Sequence, residues 1–447
     1  MDGNAKGIDG SLAVERSAPL WVGQIDLANP PTRLEGTGET PSGTRYQRAR
    51  ILMRFQAELL GMMTVDLVDG ELDIGDVCRT AAEVFAADIR AVAGPHWTLP
   101  ADPLSGKPMP TLSAELAALS EQSLPAVTVV IGTRNRPEQV VECTTLILKQ
   151  DYPSPIEVII VENGASSTAT ADAVRAAFGA DDRVRFISEE RPGLSRARNI
   201  GLAEARYPIT AFLSDDIRVD PMWLLAIARG FVRHEDVRCV TGFCPPLYLD
   251  TEEQLLFETL MAWGSRQGRE PVLFEFESSD DPVHPYRAGT FANGSNMAYD
   301  TETFRSMGGF DELLGPGTKA RGGEDLDAPI RVLSGGGLVA YEPAVVGWHA
   351  DAYDDRAFSK HMYTYGLGLT AFLTKHFMAK ETRGAVTSRI RSGLPMLFTA
   401  FLERDEVLSQ DVSVPAKYHL WQLAGRIAGP FAYLASRRSC ETTRLSK

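Results

Sequence analysis

Short runs of apolar and β-branched residues alternate with longer stretches at helical spacing through the middle of the chain. Residues 127–131 (VTVVI) are wholly apolar or β-branched, the pattern of a strand buried on both faces. They run into GTRNRP and then a helical pattern to about residue 150, with Pro137 suited to the first turn. The cycle repeats. Strands at 156–161, 184–187 and 209–213 are each followed by a polar cluster and a helix, the last helix beginning after Pro221. This alternation predicts parallel βαβ units with helices on both faces of a sheet.

The flanks read differently. Residues 1–45 are rich in Gly, Pro, Ser and Thr around one apolar island, Leu20-Trp21-Val22, which predicts a flexible start with one short strand. Two alternating stretches on either side of Ala57-Glu58 predict a hairpin. Ile74, Val77, Ala81, Val84, Phe85 and Ile89 fall at helical spacing, and the Pro/Gly-rich stretch 94–110 reads as a linker within or after this small α+β module. The expected organisation is a flexible segment over 1–45, an accessory α+β module over 46–124, an α/β domain over 125–352 and a helical region over 353–447. Within the last, residues 353–377 predict a helix packed on the α/β domain through Phe358, Met362, Tyr365, Leu369, Phe372 and Phe377. Residues 394–402 and 421–434 predict surface helices suited to a membrane surface, to the core or to a dimer contact.

Charge and cysteine content narrow the function. The 447 residues carry 45 Lys and Arg against 59 Asp and Glu, a net charge of −14, which argues against a general nucleic-acid binder. Apolar residues at 44% and charged residues at 23% exclude wholesale disorder. Five cysteines, an odd number in a long chain, make no disulfide framework and fit a reducing compartment. Cys239 and Cys244 lack a second ligand pair, so buried thiols are expected there rather than zinc. With no signal-like start and no long uncharged apolar run, the expectation is a soluble, cytoplasmic protein, with peripheral membrane contact left open.

Three of the predicted strands end in polar clusters: Thr133, Arg134 and Arg136; Glu162 and Asn163; Ser214, Asp215 and Asp216. Ligands of open parallel sheets bind beyond the carboxyl ends of the strands, so these clusters should converge on one pocket. Arginines there (Arg134, Arg136, Arg196, Arg198) suit phosphates, while adjacent aspartates would repel them unless a hard divalent cation bridges the two. A nucleotide diphosphate with Mg2+ or Mn2+ satisfies both demands. No Gly-rich phosphate loop is present to favour NTP hydrolysis or dinucleotide binding. Farther on, Gly322-Gly323 opens a helix bearing Glu324, Asp325 and Asp327 at its N-terminus, where the helix dipole favours ionised acids. His349 is a candidate additional metal ligand.

In order, the segments VTVVIGTRNRPE, EVIIVENGASS, RPGLSRARNIGLAEA, AFLSDDIRVDP, NGSNMAYDTETFRSMGGFDELLG, GGEDLDAPIRVLSGGG and VVGWH resemble the family-2 glycosyltransferases of the GT-A fold. The resemblance covers about half the chain and implies a mixed, mainly parallel α/β sheet flanked by helices. It implies a nucleotide site at Thr133, Arg134, Arg136, Glu162, Arg198 and Asp215, with Glu162 reading a uracil or thymine ring NH. It places Asp216 and His349 at the metal, with Ser214 standing where the signature has its first acid. Asp325 falls at the general base, beside Glu324, and Asn296 at the floor of the donor and acceptor pocket. Tyr363, Tyr365 and Gly366 resemble a segment that borders the acceptor.

The implied activity is inverting transfer of a single sugar from a UDP- or dTDP-sugar. The acceptor is left open among saccharides, lipid-linked saccharides and small molecules, and a homodimer is left open too. A polysaccharide synthase would add a Q-x-x-R-W motif and membrane helices, which the sequence lacks. Two alternatives remain: a sugar-nucleotide nucleotidyltransferase, whose Gly-rich loop GTRNRP does not match, and a catalytically degenerate binding protein, prompted by Ser214.

Overall fold

The computed structural model describes residues 18–99, 104, 109–261, 270–277, 281–350, 354–389, 391 and 415–445. Twelve strands and twelve α-helices are named here in chain order. The strands are β1 (Leu20–Asp26), β2 (Arg48–Phe55), β3 (Glu58–Asp66), β4 (Val127–Thr133), β5 (Ile156–Asn163), β6 (Val184–Glu189), β7 (Ile209–Ser214), β8 (Ile217–Val219), β9 (Val237–Phe243), β10 (Val272–Phe274), β11 (Asn296–Asp300) and β12 (Leu338–His349). The helices are α1 (Ile74–Val84), α2 (Ala86–Ala93), α3 (Ala114–Ser120), α4 (Pro137–Leu148), α5 (Ala169–Phe178), α6 (Leu194–Glu204), α7 (Trp223–Val232), α8 (Glu252–Met261), α9 (Thr301–Ser306), α10 (Glu324–Ser334), α11 (Asp355–Met378) and α12 (Ala416–Leu445).

A nine-stranded sheet in the order β10-β12-β9-β11-β7-β4-β5-β6, with β8 paired to β12, forms the centre of the molecule. β4, β5, β6, β7, β9 and β12 run one way, and β8, β10 and β11 run the other. This is the expected mixed, mainly parallel α/β sheet. Side chains alternate across it. Val127, Val129, Ile131, Val158, Ile160, Ala211 and Leu213 point into one core with Val140, Cys143 and Ile147 of α4 and Trp223 of α7. Val130, Ile159, Val161 and Phe212 point into the other, with Ala197 and Leu202 of α6. Both faces are covered, which is why the strands carry no polar alternation.

The strands β8, β9, β10 and β11 were not expected from the sequence. β9 and β11 lie between β12 and β7, and β11 is antiparallel to both of its neighbours. The apolar stretches around 337–341 and 345–349 join in one strand, β12, whose register against β9 shifts between Tyr341 and Val346, with Pro343 at the irregularity.

The island at Leu20 forms β1, which pairs in parallel with β2, and β2 and β3 make the expected hairpin. Its turn residues Gln56 and Ala57 both have positive φ. The Asp26 carboxylate holds them there, accepting from the Gln56 and Ala57 N–H groups at 3.0 and 2.9 Å. The hairpin is bound to the large sheet by buried charges: Arg54 to Asp220 at 2.8 Å, and Arg229 between Glu58 (2.7 Å) and Glu342 (2.8 Å). Leu52 also packs with Phe243, Val346 and Trp348. Arg54→Ala would leave the Asp220 carboxylate buried without its cation. It should lower stability by roughly 3–5 kcal/mol, read as an earlier urea midpoint with unchanged slope.

α11 begins on its Asp354 cap, whose carboxylate accepts from the Ala357 N–H at 2.6 Å, and buries Phe358, Met362 and Phe372, whereas Phe377 is exposed. Tyr353 and the helix expected over 394–402 lie outside the described residues, as do residues 1–17. The helix expected over 421–434 is part of α12. α12 packs on α11 through Gly425 and Gly429 and leaves Leu420, Trp421, Ile427 and Phe431 exposed. No described helix is long and apolar enough to cross a membrane. Cys78, Cys143, Cys239 and Cys244 are buried thiols.

Candidate active site

Strand direction decides which side chains can meet. β4, β5, β7 and β12 end at one edge of the sheet, and the antiparallel β11 begins there, so its preceding loop, Gly294-Ser295, reaches the same edge. The Ser214 N–H donates to the Ser295 carbonyl at 3.2 Å, stitching that loop to the end of β7.

At this edge Thr133 and Asp215, 82 residues apart in sequence, are hydrogen-bonded: the Thr133 hydroxyl donates to Asp215 Oδ2 at 2.7 Å. Arg136 Nη1 donates to Asp215 Oδ1 at 2.7 Å and to Asp216 Oδ2 at 2.8 Å. Glu162 is buried at the end of β5, and its Oε1 accepts the Asn135 N–H at 3.2 Å. Asn135 takes positive φ, and its side chain accepts from Ser166. Arg134 Nε donates to the Gly164 carbonyl at 3.0 Å. The Asn163 amide donates to the Thr133 carbonyl at 3.0 Å and accepts the Gly193 N–H at 2.9 Å, tying the ends of β4 and β5 to the start of α6.

The two aspartates are electrostatically unlike. Burial and the neighbouring Asp216 charge raise the Asp215 pKa, against the pull of Arg136 and Thr133. Burial also works against the charge of Asp216, but His349 and Arg136 overcome it and hold the carboxyl below its ordinary range. His349 ends β12, where it pairs with Ile217 of β8, and its Nε2 lies 3.5 Å from Asp216 Oδ1. That Oδ1 atom is buried and accepts no hydrogen bond. A buried carboxylate oxygen without a donor, facing an imidazole nitrogen, is chemistry suited to a divalent cation. Among the described residues no group of three or more His, Cys, Asp and Glu is placed to hold a metal.

At the start of α10, Asp325 packs on Gly294 and Glu324 reaches the same loop through Arg198. Gly323, the N-cap, has φ +89°, which a residue with a Cβ would adopt only under strain, and a Cβ there would lie 2.6 Å from the Gly368 carbonyl. Arg198 is 1% exposed. It donates to Glu324 Oε1 at 3.3 Å, across 126 residues of sequence, and to the Gly294 carbonyl at 2.5 Å. Burial and the adjacent Asp325 charge push the Glu324 pKa up to about 7, with Arg198 opposing. Burial likewise raises Asp325, opposed by Arg198 and by backbone N–H groups that include those of Leu326 and Gly294. Asp325 packs so closely on Gly294 that a Cβ there would come within 2.7 Å of the Asp325 Cβ.

Three residues of the sequence reading are spent elsewhere. Arg196 pairs with Glu312 at 2.5 Å. Asn296 is fully buried, accepting from Trp223 Nε1 at 2.8 Å and donating to the Val345 carbonyl at 2.8 Å, so its amide is a strut beneath the site. Asp327 is buried against Arg331 (2.8 Å), Lys375 (2.7 Å) and His376 (3.1 Å), which hold its pKa down against burial and anchor α10 to α11. The sequence reading missed Gly294, Lys375 and His376. The only signal for Gly294 was its place in NGSNMAY, and none marked the other two.

Residues 128–290 match the glycosyl transferase family 2 profile. Over 103 residues, 23% of this chain and 34% of the relative, the protein is 32% identical to glycosyltransferase AglE of Haloferax volcanii. It is 25% identical to a validoxylamine A glucosyltransferase of Streptomyces hygroscopicus subsp. limoneus, over 60% of each chain. Each alignment thus takes in less than two thirds of the relative's length. Among solved structures, a mannosyltransferase from Pyrobaculum calidifontis in complex with GDP-Man and Mn2+ aligns with TM-score 0.46 and 16% identity, covering 72% of this chain and 92% of that one.

Proposed function

The chain belongs to glycosyltransferase family 2, and from that premise we propose that it moves a single sugar from a UDP- or dTDP-sugar to an acceptor hydroxyl with inversion at the anomeric carbon. One observation carries this reading: His349 and the Asp215-Asp216 pair meet at the sheet edge where Thr133, Arg136 and Glu162 also end, with Asp325 held next to it by Gly294. A nucleotidyltransferase would carry a Gly-rich loop after β4, where this chain has GTRNRP.

Glu162 is assigned to the ring NH of the base, and Thr133, Arg134 and Asp215 to the nucleotide. Arg136 is assigned to the diphosphate. Arg198, whose guanidinium is taken up by Glu324 and Gly294, is assigned to holding the base in place. Asp216 and His349 would hold Mg2+ or Mn2+; such an ion supplies positive charge against the charge that grows on the departing diphosphate. The bond to the anomeric carbon breaks through an oxocarbenium-like transition state, as in glycoside hydrolysis. As the acceptor oxygen attacks from the opposite face, Asp325 takes its proton. Burial makes Asp325 a stronger base than a surface aspartate, while Arg198 and backbone N–H groups limit that rise.

Proton sharing between the adjacent acids sets the pH dependence. Because burial and mutual repulsion push Glu324 up to about 7, the Glu324–Asp325 pair holds a proton below that value. The account predicts that kcat/KM falls as pH drops through about 7 and that Arg198→Ala, which removes the opposing cation, moves this limb upward. A limb near the ordinary carboxylate range in both proteins would contradict it. The function itself is tested by incubating the full chain with UDP-, dTDP- and GDP-sugars and Mn2+. Sugar transfer or donor hydrolysis is expected with a uracil or thymine donor; neither reaction with any donor would favour the binding-protein reading.

A further inference from the structure

The same guanidinium nitrogen of Arg136 bridges both aspartates, 2.7 Å from Asp215 Oδ1 and 2.8 Å from Asp216 Oδ2. Thr133 occupies Asp215 Oδ2, so three of the four carboxylate oxygens are engaged by the protein, and the fourth, Asp216 Oδ1, is the one that faces His349. Exposure is divided unevenly: the Arg136 side chain is 49% exposed, against 6% for Asp215 and 22% for Asp216. Two adjacent, largely buried carboxylates repel each other unless a cation stands between them. Here that cation is a side chain on a long stem, anchored only at its tip, on the rim of the site. Arginine is also the side chain whose fork suits phosphate oxygens as well as carboxylates.

We propose that Arg136 is an exchangeable counter-ion that makes metal and donor load together. In the donor-free protein its guanidinium neutralises Asp215 and Asp216 and competes with a divalent cation for them. When a nucleotide diphosphate binds with its metal, Arg136 leaves the carboxylates for the phosphate oxygens, and the cation takes over the charge balance of Asp216. A weakly metal-binding free protein and a tightly metal-binding nucleotide complex follow from one side chain. This inference rests on the assignment of Asp216 and His349 to the metal.

The test is Mn2+ uptake by the full chain, followed by loss of the free-ion EPR signal with and without UDP, alongside calorimetric UDP binding. Arg136→Gln should bind Mn2+ alone about tenfold or more tighter than the wild type, the scale of one charge-assisted hydrogen bond, and should bind UDP in Mn2+ about tenfold or more weaker. Arg136→Lys, which keeps the charge, should take up Mn2+ alone as weakly as the wild type. Equal Mn2+ affinity in the wild type and Arg136→Gln would overturn the exchange while leaving the metal assignment standing. So would loss of both Mn2+ and UDP binding by Arg136→Gln, which would make the arginine a fixed strut. Failure of the wild type to take up Mn2+ even with UDP would remove the metal assignment itself, and the exchange with it.

Discussion

Asp325→Asn is expected to give a folded protein that still binds its donor but turns over at no more than about 1% of the wild-type rate. A positioned base contributes roughly 10²–10⁴-fold, and the amide keeps the shape of the carboxyl without its basicity. The variant separates base from structure because Asp325 is half-buried and packs on Gly294 through its Cβ, which the amide preserves. Its Oδ1 accepts the Leu326 N–H at 3.0 Å, a bond an amide oxygen can also accept. Nucleotide affinity and melting temperature should therefore stay near wild type while kcat collapses. Transfer near the wild-type rate would remove Asp325 from the role. The neighbouring Glu324 gives a contrast. Its side chain is tied to the buried Arg198, so Glu324→Gln weakens the ion pair that holds Arg198 and the Gly294 loop, and its loss should appear in stability as well as in rate.

Asp216→Ala carries the second large effect: donor binding should lose its dependence on Mn2+. His349 and Arg136 hold the Asp216 pKa down and so favour the ionised carboxylate, the form that can ligate a metal once Arg136 has moved away. Removing it leaves His349 as a lone imidazole and returns Arg136 to Asp215 alone. Calorimetry of UDP with and without Mn2+ should show a large metal enhancement in the wild type and none in the variant. Unchanged nucleotide affinity with Mn2+ would count against Asp216 as a ligand.

The strands β4, β5 and β7 were legible in the sequence because each is sandwiched between two helical layers, and a strand with no solvent face has little that is polar to blur it; β6, at the sheet edge and only half-buried, was legible from its short apolar run alone. β11 was not. Its five residues, NMAYD, form a strand only because β7 and β9 lie on either side, and its direction is fixed by Ser214 and Ser295 rather than by its own pattern. β12 runs through Pro343, which in a sequence looks like a strand terminus, because the register shift against β9 absorbs it.

In the site, Thr133, Arg136, Glu162, Asp215 and Asp216 could be found from the rule that parallel strands present their ends to ligands, a rule that uses only local sequence. The partners that set their chemistry could not. Nothing in RARN says that Arg198 reaches Glu324, and nothing in GGEDLD says that Asp327 turns inward to Lys375 and His376 while Asp325 stays at the edge. Helix periodicity fixes which acids share a face but not which face meets which element, and that is decided by tertiary packing.

The central claim is that one divalent ion sits between Asp216, His349 and the diphosphate of a bound nucleotide. Pulsed EPR of the Mn2+–UDP complex reads this directly. The account predicts a nitrogen coupling from a single histidine together with phosphorus couplings, the nitrogen signal vanishing in His349→Gln while the phosphorus couplings persist. A complex with no histidine coupling, or one whose coupling survives His349→Gln, would contradict it.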